Sequence, residues 1–289
     1  MARILAIGIA TLDIINLVEE YPAEDSKIRI LQQSKRRGGN ATNTLVVLSQ
    51  LGHQCSWAGS LVDEPDAQLI RADLARYNID THAVEWLDKG KLPTSYITLS
   101  QRTASRTIVH YRDLPEYSFK SFRDINLQQF DWLHFEGRNV DAVHKMLERT
   151  KILNPRLPCS VEIEKQRPEI EQLFVLPDLL IFSQDYASRC GFNCADHLFR
   201  HIRKHNRHAT LICTWGEQGA YALDPQDRHY HAPAFPPPHL HDTLAAGDVF
   251  NAGLIHALAR QQTLEISLIE ASRLAGHKCG QYGIDGLAT

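Results

Sequence analysis

His241-Asp242-Thr243-Leu244-Ala245-Ala246-Gly247-Asp248-Val249-Phe250 is the stretch on which the reading of this chain turns. Residues with little side chain lead into a strongly helical segment over 248–260, whose Phe250, Leu254, Ile255 and Leu258 share one face. The first N–H groups of such a helix have no partner within it, and the helix dipole adds positive potential there. Together they make a cradle for an anion. Asp248 falls in the first turn, where a carboxylate can take a proton from a hydroxyl. An aspartate at a helix start is also an ordinary cap, and these ten residues alone leave both readings open.

A second small-residue helix start lies upstream at Gly38-Gly39-Asn40-Ala41-Thr42-Asn43, opening a helix over 40–51. Asn40 and Asn43 are three apart, so both amides project from one face of the first turn, each able to donate and accept. Capping explains this stretch too. Asp13 follows an apolar strand over 3–9, the place where open α/β sheets put ligands, although a lone carboxylate there is as readily solvated. Around these sites, short apolar runs at 55–58, 132–135, 159–163, 179–182 and 211–214 alternate with helical patterns. The helices fall at 65–77, 142–151, 195–205 and 264–280. That alternation specifies an α/β layered fold. Residues 13–34 and 94–111 break the rhythm with β-branched, partly alternating sequence, which predicts strand pairs in a small separate sheet.

The composition excludes several classes. The chain has 289 residues, 43% hydrophobic and 22% charged, with a formal net charge of -3. Nothing in that balance draws it to nucleic acid or an anionic membrane. Lys35-Arg36-Arg37 reads as a solvated edge. No apolar run approaches the roughly 18 residues of a membrane span, and the N-terminus lacks a signal-peptide pattern. The six cysteines (55, 159, 190, 194, 213 and 279) are scattered and read as reduced thiols, an expectation of the cytoplasm. Cys190, Cys194, His197, His201 and His205 share parts of one helix face, but at spacings of no closed zinc module. Gly8 stands alone after the first strand, which argues against a nicotinamide-binding Gly-x-Gly-x-x-Gly turn.

The Gly-Gly-Asn stretch followed, far downstream, by Asp-Thr-x-x-Ala-Gly-Asp resembles the ribokinase-like carbohydrate kinases, and the resemblance runs from the first strand to Gly286. Finer stretches are similar to the ketohexokinase branch of that family. They are Leu12-Asp13-Ile14-Ile15, Tyr21-Pro22-Ala23-Glu24-Asp25-Ser26, Arg106-Thr107-Ile108-Val109 and Glu136-Gly137-Arg138-Asn139. Val161-Glu162-Ile163-Glu164-Lys165, Ala234-Phe235-Pro236-Pro237-Pro238 and Ala275-Gly276-His277-Lys278-Cys279-Gly280 continue the match.

The resemblance implies a single domain over 1–289: a three-layer α/β/α fold with a mostly parallel central sheet. A small β-sheet lid (β-clasp) would be built from about 13–36 and 93–113. It implies Mg²⁺- and ATP-dependent phosphorylation of a ketose such as fructose at O1, with Asp248 as base. By the same resemblance Ala245, Ala246 and Gly247 form the anion hole, and Asp13, Gly39, Asn40, Asn43 and Asp248 hold the sugar. Arg106 would reach the nucleotide phosphates, Gly216-Glu217-Gln218-Gly219 would form the nucleotide turn, and Phe235, Pro237 and Phe250 would line the adenine side. Lids would clasp into a homodimer, Asp25 reaching the partner's sugar. The chain departs from the family in having Ala245 where many members have glycine, which carries a cost only if φ there is positive. Residues 182–187 also lack the Asn-x-x-Glu motif used near magnesium, so no metal ligand is assigned. Other acceptors of the same fold remain open: another sugar, a nucleoside, or a sugar phosphate met by Lys27, Arg29 or Arg102. So does a sugar-binding protein without activity.

Overall fold

A computed structural model describes residues 1–287. First in the chain come β1 (Arg3–Ile7), β2 (Thr11–Val18), β3 (Gln32–Gly38), α1 (Asn40–Gln50), β4 (Gln54–Ala58), β5 (Ser60–Val62), α2 (Pro65–Arg76) and β6 (Glu85–Leu87). Next are β7 (Lys91–Ser100), β8 (Arg106–Asp113), α3 (Phe119–Phe122), β9 (Trp132–Glu136), α4 (Val140–Leu153), β10 (Cys159–Ile163) and β11 (Leu179–Ser183). α5 (Gln184–Arg189), α6 (Ala195–Ile202), β12 (Thr210–Thr214), β13 (Ala220–Leu223), β14 (His229–Ala232), α7 (Ala246–Ala259) and α8 (Leu264–Cys279) complete it. No helix among the described residues is long and apolar enough to cross a membrane.

The main sheet is eight-stranded, in the order β14-β13-β12-β11-β10-β9-β1-β4. It is parallel from β12 to β4, while β13 and β14 run antiparallel at one edge. Parallel strands covered on both faces are apolar throughout, and successive side chains feed opposite layers. Ile4 and Ala6 of β1, with Leu179 and Ile181 of β11, pack into one core against α1, α2, α7 and α8. Leu5 and Ile7, with Leu180 and Phe182, pack into the other against α4, α5 and α6. The result is a three-layer α/β/α sandwich. Within one outer layer, Gly253 of α7 lets α8 approach so closely that a Cβ at 253 would lie 2.9 Å from the Ala271 Cα.

The two segments that break the sequence rhythm form a separate four-stranded sheet in the order β3-β2-β7-β8. β2 pairs antiparallel with β3 and β7 with β8, and the hairpins meet along a parallel β2–β7 seam. One face buries Ile15, Ile97 and Leu99 with Leu17, and against them packs Leu244 from the loop before α7. The hairpin over 13–34 is shorter in strand than expected, since residues 19–31 carry no strand.

Candidate active site

The carboxyl ends of β9, β10, β11 and β12 open onto a cleft of about 490 Å³, closed above by Ser95, Ile97, Arg106, Ile108 and His110 of the lid. The starts of α1 and α7 converge on its floor, so the two small-residue motifs, some two hundred residues apart, share one wall. Asp13, Gly39, Asn40, Asn43, Arg106, Ala245, Ala246, Gly247 and Asp248 all line this cleft.

α7 begins at Ala246, two residues before the expected start, and Ala245 precedes it with φ 65 in the left-handed region. The loop entering it hangs on a buried ion pair. Lys278 of α8 donates to the Asp242 carbonyl at 2.8 Å and to its Oδ2 at 2.9 Å, and both side chains are fully buried. Burial works against the Asp242 charge, but Lys278, the Leu244 N–H and Arg36 together hold the carboxyl below its usual range. Asp242 Oδ1 in turn accepts from the Leu244 N–H at 2.8 Å, which shapes the approach to the helix start. From above, Arg106 Nη1 donates to Thr243 Oγ1 at 2.7 Å, tying the lid to the same loop.

Gly39 precedes α1 with a φ of 105 that suits glycine, and a Cβ there would lie 2.3 Å from the Ile9 carbonyl oxygen. Glu136 Oε1 accepts from the Ala41 N–H at 2.6 Å and the Ile9 N–H at 3.0 Å, fastening α1 to the end of β1. Asn43 Nδ2 donates to Asp248 Oδ2 at 2.7 Å. The Asn40 amide instead donates to Glu162 Oε2 at 3.1 Å and Glu164 Oε2 at 3.3 Å, while Asn251 donates to Glu162 Oε1 at 2.9 Å. Asp13 accepts from Thr11 Oγ1 at 2.8 Å.

This wall is rich in carboxylates and only 6% of Asp248 is exposed. Burial, then the nearby Glu162, pushes the Asp248 carboxyl well above its ordinary range. Burial and the neighbouring Glu164 and Glu136 push Glu162 up to about 8, and burial takes Glu136 to about 7. Carboxyls displaced this way, in a cleft, suit proton transfer or a cation. Glu162 and Glu164 present hard oxygen donors toward the cleft, the chemistry a small divalent cation takes alongside water and phosphate oxygens. Among the described residues, no group of three or more His, Cys, Asp or Glu is gathered as a complete protein cage would be.

A family model described as pfkB family carbohydrate kinase matches residues 1–287. The chain belongs to that family. This pfkB kinase is 41% identical to the ketohexokinase of Mus musculus over 293 residues, which covers 99% of this chain and 98% of the mouse protein. Solved structures agree on the fold. The ribokinase of Giardia lamblia superposes with a TM-score of 0.87 at 15% identity, covering 100% of this chain and 96% of that one. Arabidopsis thaliana ribokinase complexed with ribose and ATP superposes with a TM-score of 0.78 at 16% identity, covering 99% and 94%. The fold is ribokinase-like and the protein is a carbohydrate kinase by family.

Other expected site residues lie elsewhere in the kinase. Gly216-Glu217-Gln218-Gly219 is a short 3₁₀ turn beyond β12, with Gly216 and Gly219 both at positive φ. Phe235 and Pro237 lie against α8, where a Cβ at Gly276 would meet the Phe235 carbonyl oxygen at 1.9 Å and one at Gly280 would meet Pro237 Cβ at 2.9 Å. Phe250 corrects an expectation: it is 3% exposed and part of the core, because its face of α7 turns inward, so it offers no surface to adenine. Asp25 sits exposed in the β2–β3 connection. The His201 and His205 rings meet at a tilt of 53° with centroids 5.4 Å apart, and Cys194 precedes α6 exposed. The sequence reading missed Glu162 and Asn251 in the wall and Glu136 and Lys278 behind it, and it misplaced Arg37. Arg37 is not a solvated edge but 5% exposed. Asn251 was within reach, being one turn after Asp248 on α7.

Proposed function

We propose that this kinase transfers the γ-phosphoryl group of ATP to the O1 hydroxyl of a ketose such as fructose. The observation that carries the reading is the buried Asp248 carboxylate, held by Asn43 at the positive end of α7 in a cleft whose floor also carries Asp13. Asp248 would accept the hydroxyl proton as the new O–P bond forms. The N–H groups of Ala245 and Gly247 would face the transferred phosphoryl, joined by that of Ala246 once it leaves its 3.3 Å contact with the Thr243 carbonyl, with the dipole of α7 behind them. Phosphoryl transfer needs positioning and charge stabilisation more than covalent help, and this wall provides both. Mg²⁺ would be held beside Glu162 and Glu164 and would neutralise phosphate charge. Arg106, placed on the lid over the anion-hole loop, is suited to the phosphates. Asp13 and Asn43 offer a small polyol the mixed donors and acceptors it needs.

The lid also supports a homodimer. Its outer face shows Tyr96, Val109 and Tyr111 to solvent, an apolar strip on a sheet whose edge strands β3 and β8 each pair on one side only among the described residues. Asp25 would then reach the partner's site. All six cysteines are free, which fits a reducing cytoplasm.

The test is ADP release with Mg²⁺-ATP and fructose, tagatose, ribose, glucose or adenosine in parallel. Release with fructose and a 1-phosphate product supports the reading. Release with adenosine or ribose but not fructose overturns the acceptor.

A further inference from the structure

Asn43 meets Asp248 through its NH₂ group, and what sets that orientation lies outside the cleft. Arg37, the last residue but one of β3, sends Nη1 to Asn43 Oδ1 at 2.7 Å and to Thr42 Oγ1 at 3.2 Å. Its Nε donates to Asp73 Oδ2 of α2 at 2.7 Å. A guanidinium has five donors and no acceptor, so it can be met only by the oxygen of the Asn43 amide. The NH₂ is thereby turned to the opposite side, where Asp248 Oδ2 lies. A flipped amide would set NH₂ against Arg37 and oxygen against carboxylate, two repulsive contacts in a buried site. Neither Arg37 nor Asp73 lines the cleft above.

We propose that Asp73 and Arg37 are positioning residues for the base: the chain Asp73–Arg37–Asn43–Asp248 locks the Asn43 amide so that its NH₂ always faces the Asp248 carboxylate. Asp73 has a second role in it. The Arg37 side chain is 3% exposed and Asp73 26%, so Asp73 supplies the countercharge that lets a guanidinium stay buried and points its fork inward. Lysine in place of Arg37 would reach as a point charge with no fixed fork, and would serve only in part. The kcat readout rests on the proposed phosphoryl transfer, with Asp248 as base; the orientation of the Asn43 amide does not.

Two measurements test it. In steady state with the acceptor that turns over, Arg37→Gln should lower kcat roughly 10- to 100-fold, the scale of a small misplacement of a catalytic group. KM for ATP should stay near the parent value, and Arg37→Lys should recover part of kcat. Asp73→Asn should lose less, in the same direction. In an Asn43→Ala background, Arg37→Gln should cause no further loss in kcat, because the amide it orients is gone. Losses that multiply in the double variant, or an unchanged kcat in Arg37→Gln, would overturn the proposal. The second measurement needs no turnover. The Asn43 side-chain amide protons, assigned by NMR against Asn43→Ala, should be protected from exchange in the parent and lose protection in Arg37→Gln. Equal protection in both proteins would also overturn it. If Asp248→Asn retains full turnover while the amide is locked as described, Asp248 is not the base and the reading under Proposed function fails on its own.

Discussion

Ala245 holds a left-handed backbone at the mouth of the proposed anion hole, where an L side chain costs about 1–2 kcal/mol and glycine's extra freedom costs about 0.5–1. Ala245→Gly should therefore leave stability unchanged or raise it by up to about 1.5 kcal/mol, as read by urea unfolding, with kcat retained; clear destabilisation would contradict the strain. Lys278→Met leaves the buried Asp242 carboxylate with only Arg36, at 3.6 Å, as its cation, which should cost up to about 3 kcal/mol, and Lys278→Met with Asp242→Asn should recover part of it. Asp248→Asn should lower kcat about 10²–10⁴-fold in an ADP-release assay while sugar binding persists. The meeting of Asp248 and Asn43 in one cleft was legible in part because both stand in the first turns of helices that local pattern reveals. Arg37 and Lys278 were not. A charge is buried by its partner, and those partners, Asp73 and Asp242, stand 36 residues away in each case.

At the level of elements, the tight α7–α8 contact and the seat of the first strand can both be probed. Gly253→Leu has no room against the Ala271 backbone and should cost about 1–3 kcal/mol by overpacking, seen as a lower urea midpoint. His53, just before β4, accepts the Ala2 N–H at 3.1 Å and meets His256 of α7 at 2.9 Å. Burial and the nearby His256 lower its pKa to about 4. A histidine held neutral in the fold contributes stability above its unfolded pKa of about 6.5, and that contribution drains away as pH falls toward 4. The stability of the parent relative to His53→Gln should therefore shrink between pH 7 and pH 4. Comparing the two proteins cancels the raised carboxyls, which act in the opposite direction. Elements with a strong period, such as β1, β10, β11 and α8, were readable from sequence. β5, β6, β13 and β14 were not, being three or four residues long, and β6 and β14 are largely unburied, which leaves too little alternation to register.

Over the whole molecule, the alternation of short apolar runs with helical patterns reported the layered fold, because strands covered by helices on both faces must be apolar throughout. The convergence of α1 and α7 on one cleft was not visible locally, since it depends on the strand order placing β1 between β9 and β4. If the lid strip joins two copies, Val109→Lys should shift the protein toward monomer in sedimentation, and an unchanged mass would remove the strip as the interface. The lid carries one more implication, for inheritance. The chain passes between core and lid at residues 8–10, 39, 88–90 and 114–118, so the lid is spliced from two inserts and not hung on one hinge. Two of those passages carry residues of the cleft itself, Ile9 and Gly39. A lid from a relative cannot be exchanged as a cassette without cutting into the site it covers. New acceptor preferences in this architecture should therefore arise by substitution within the existing lid and not by transplant of a whole one.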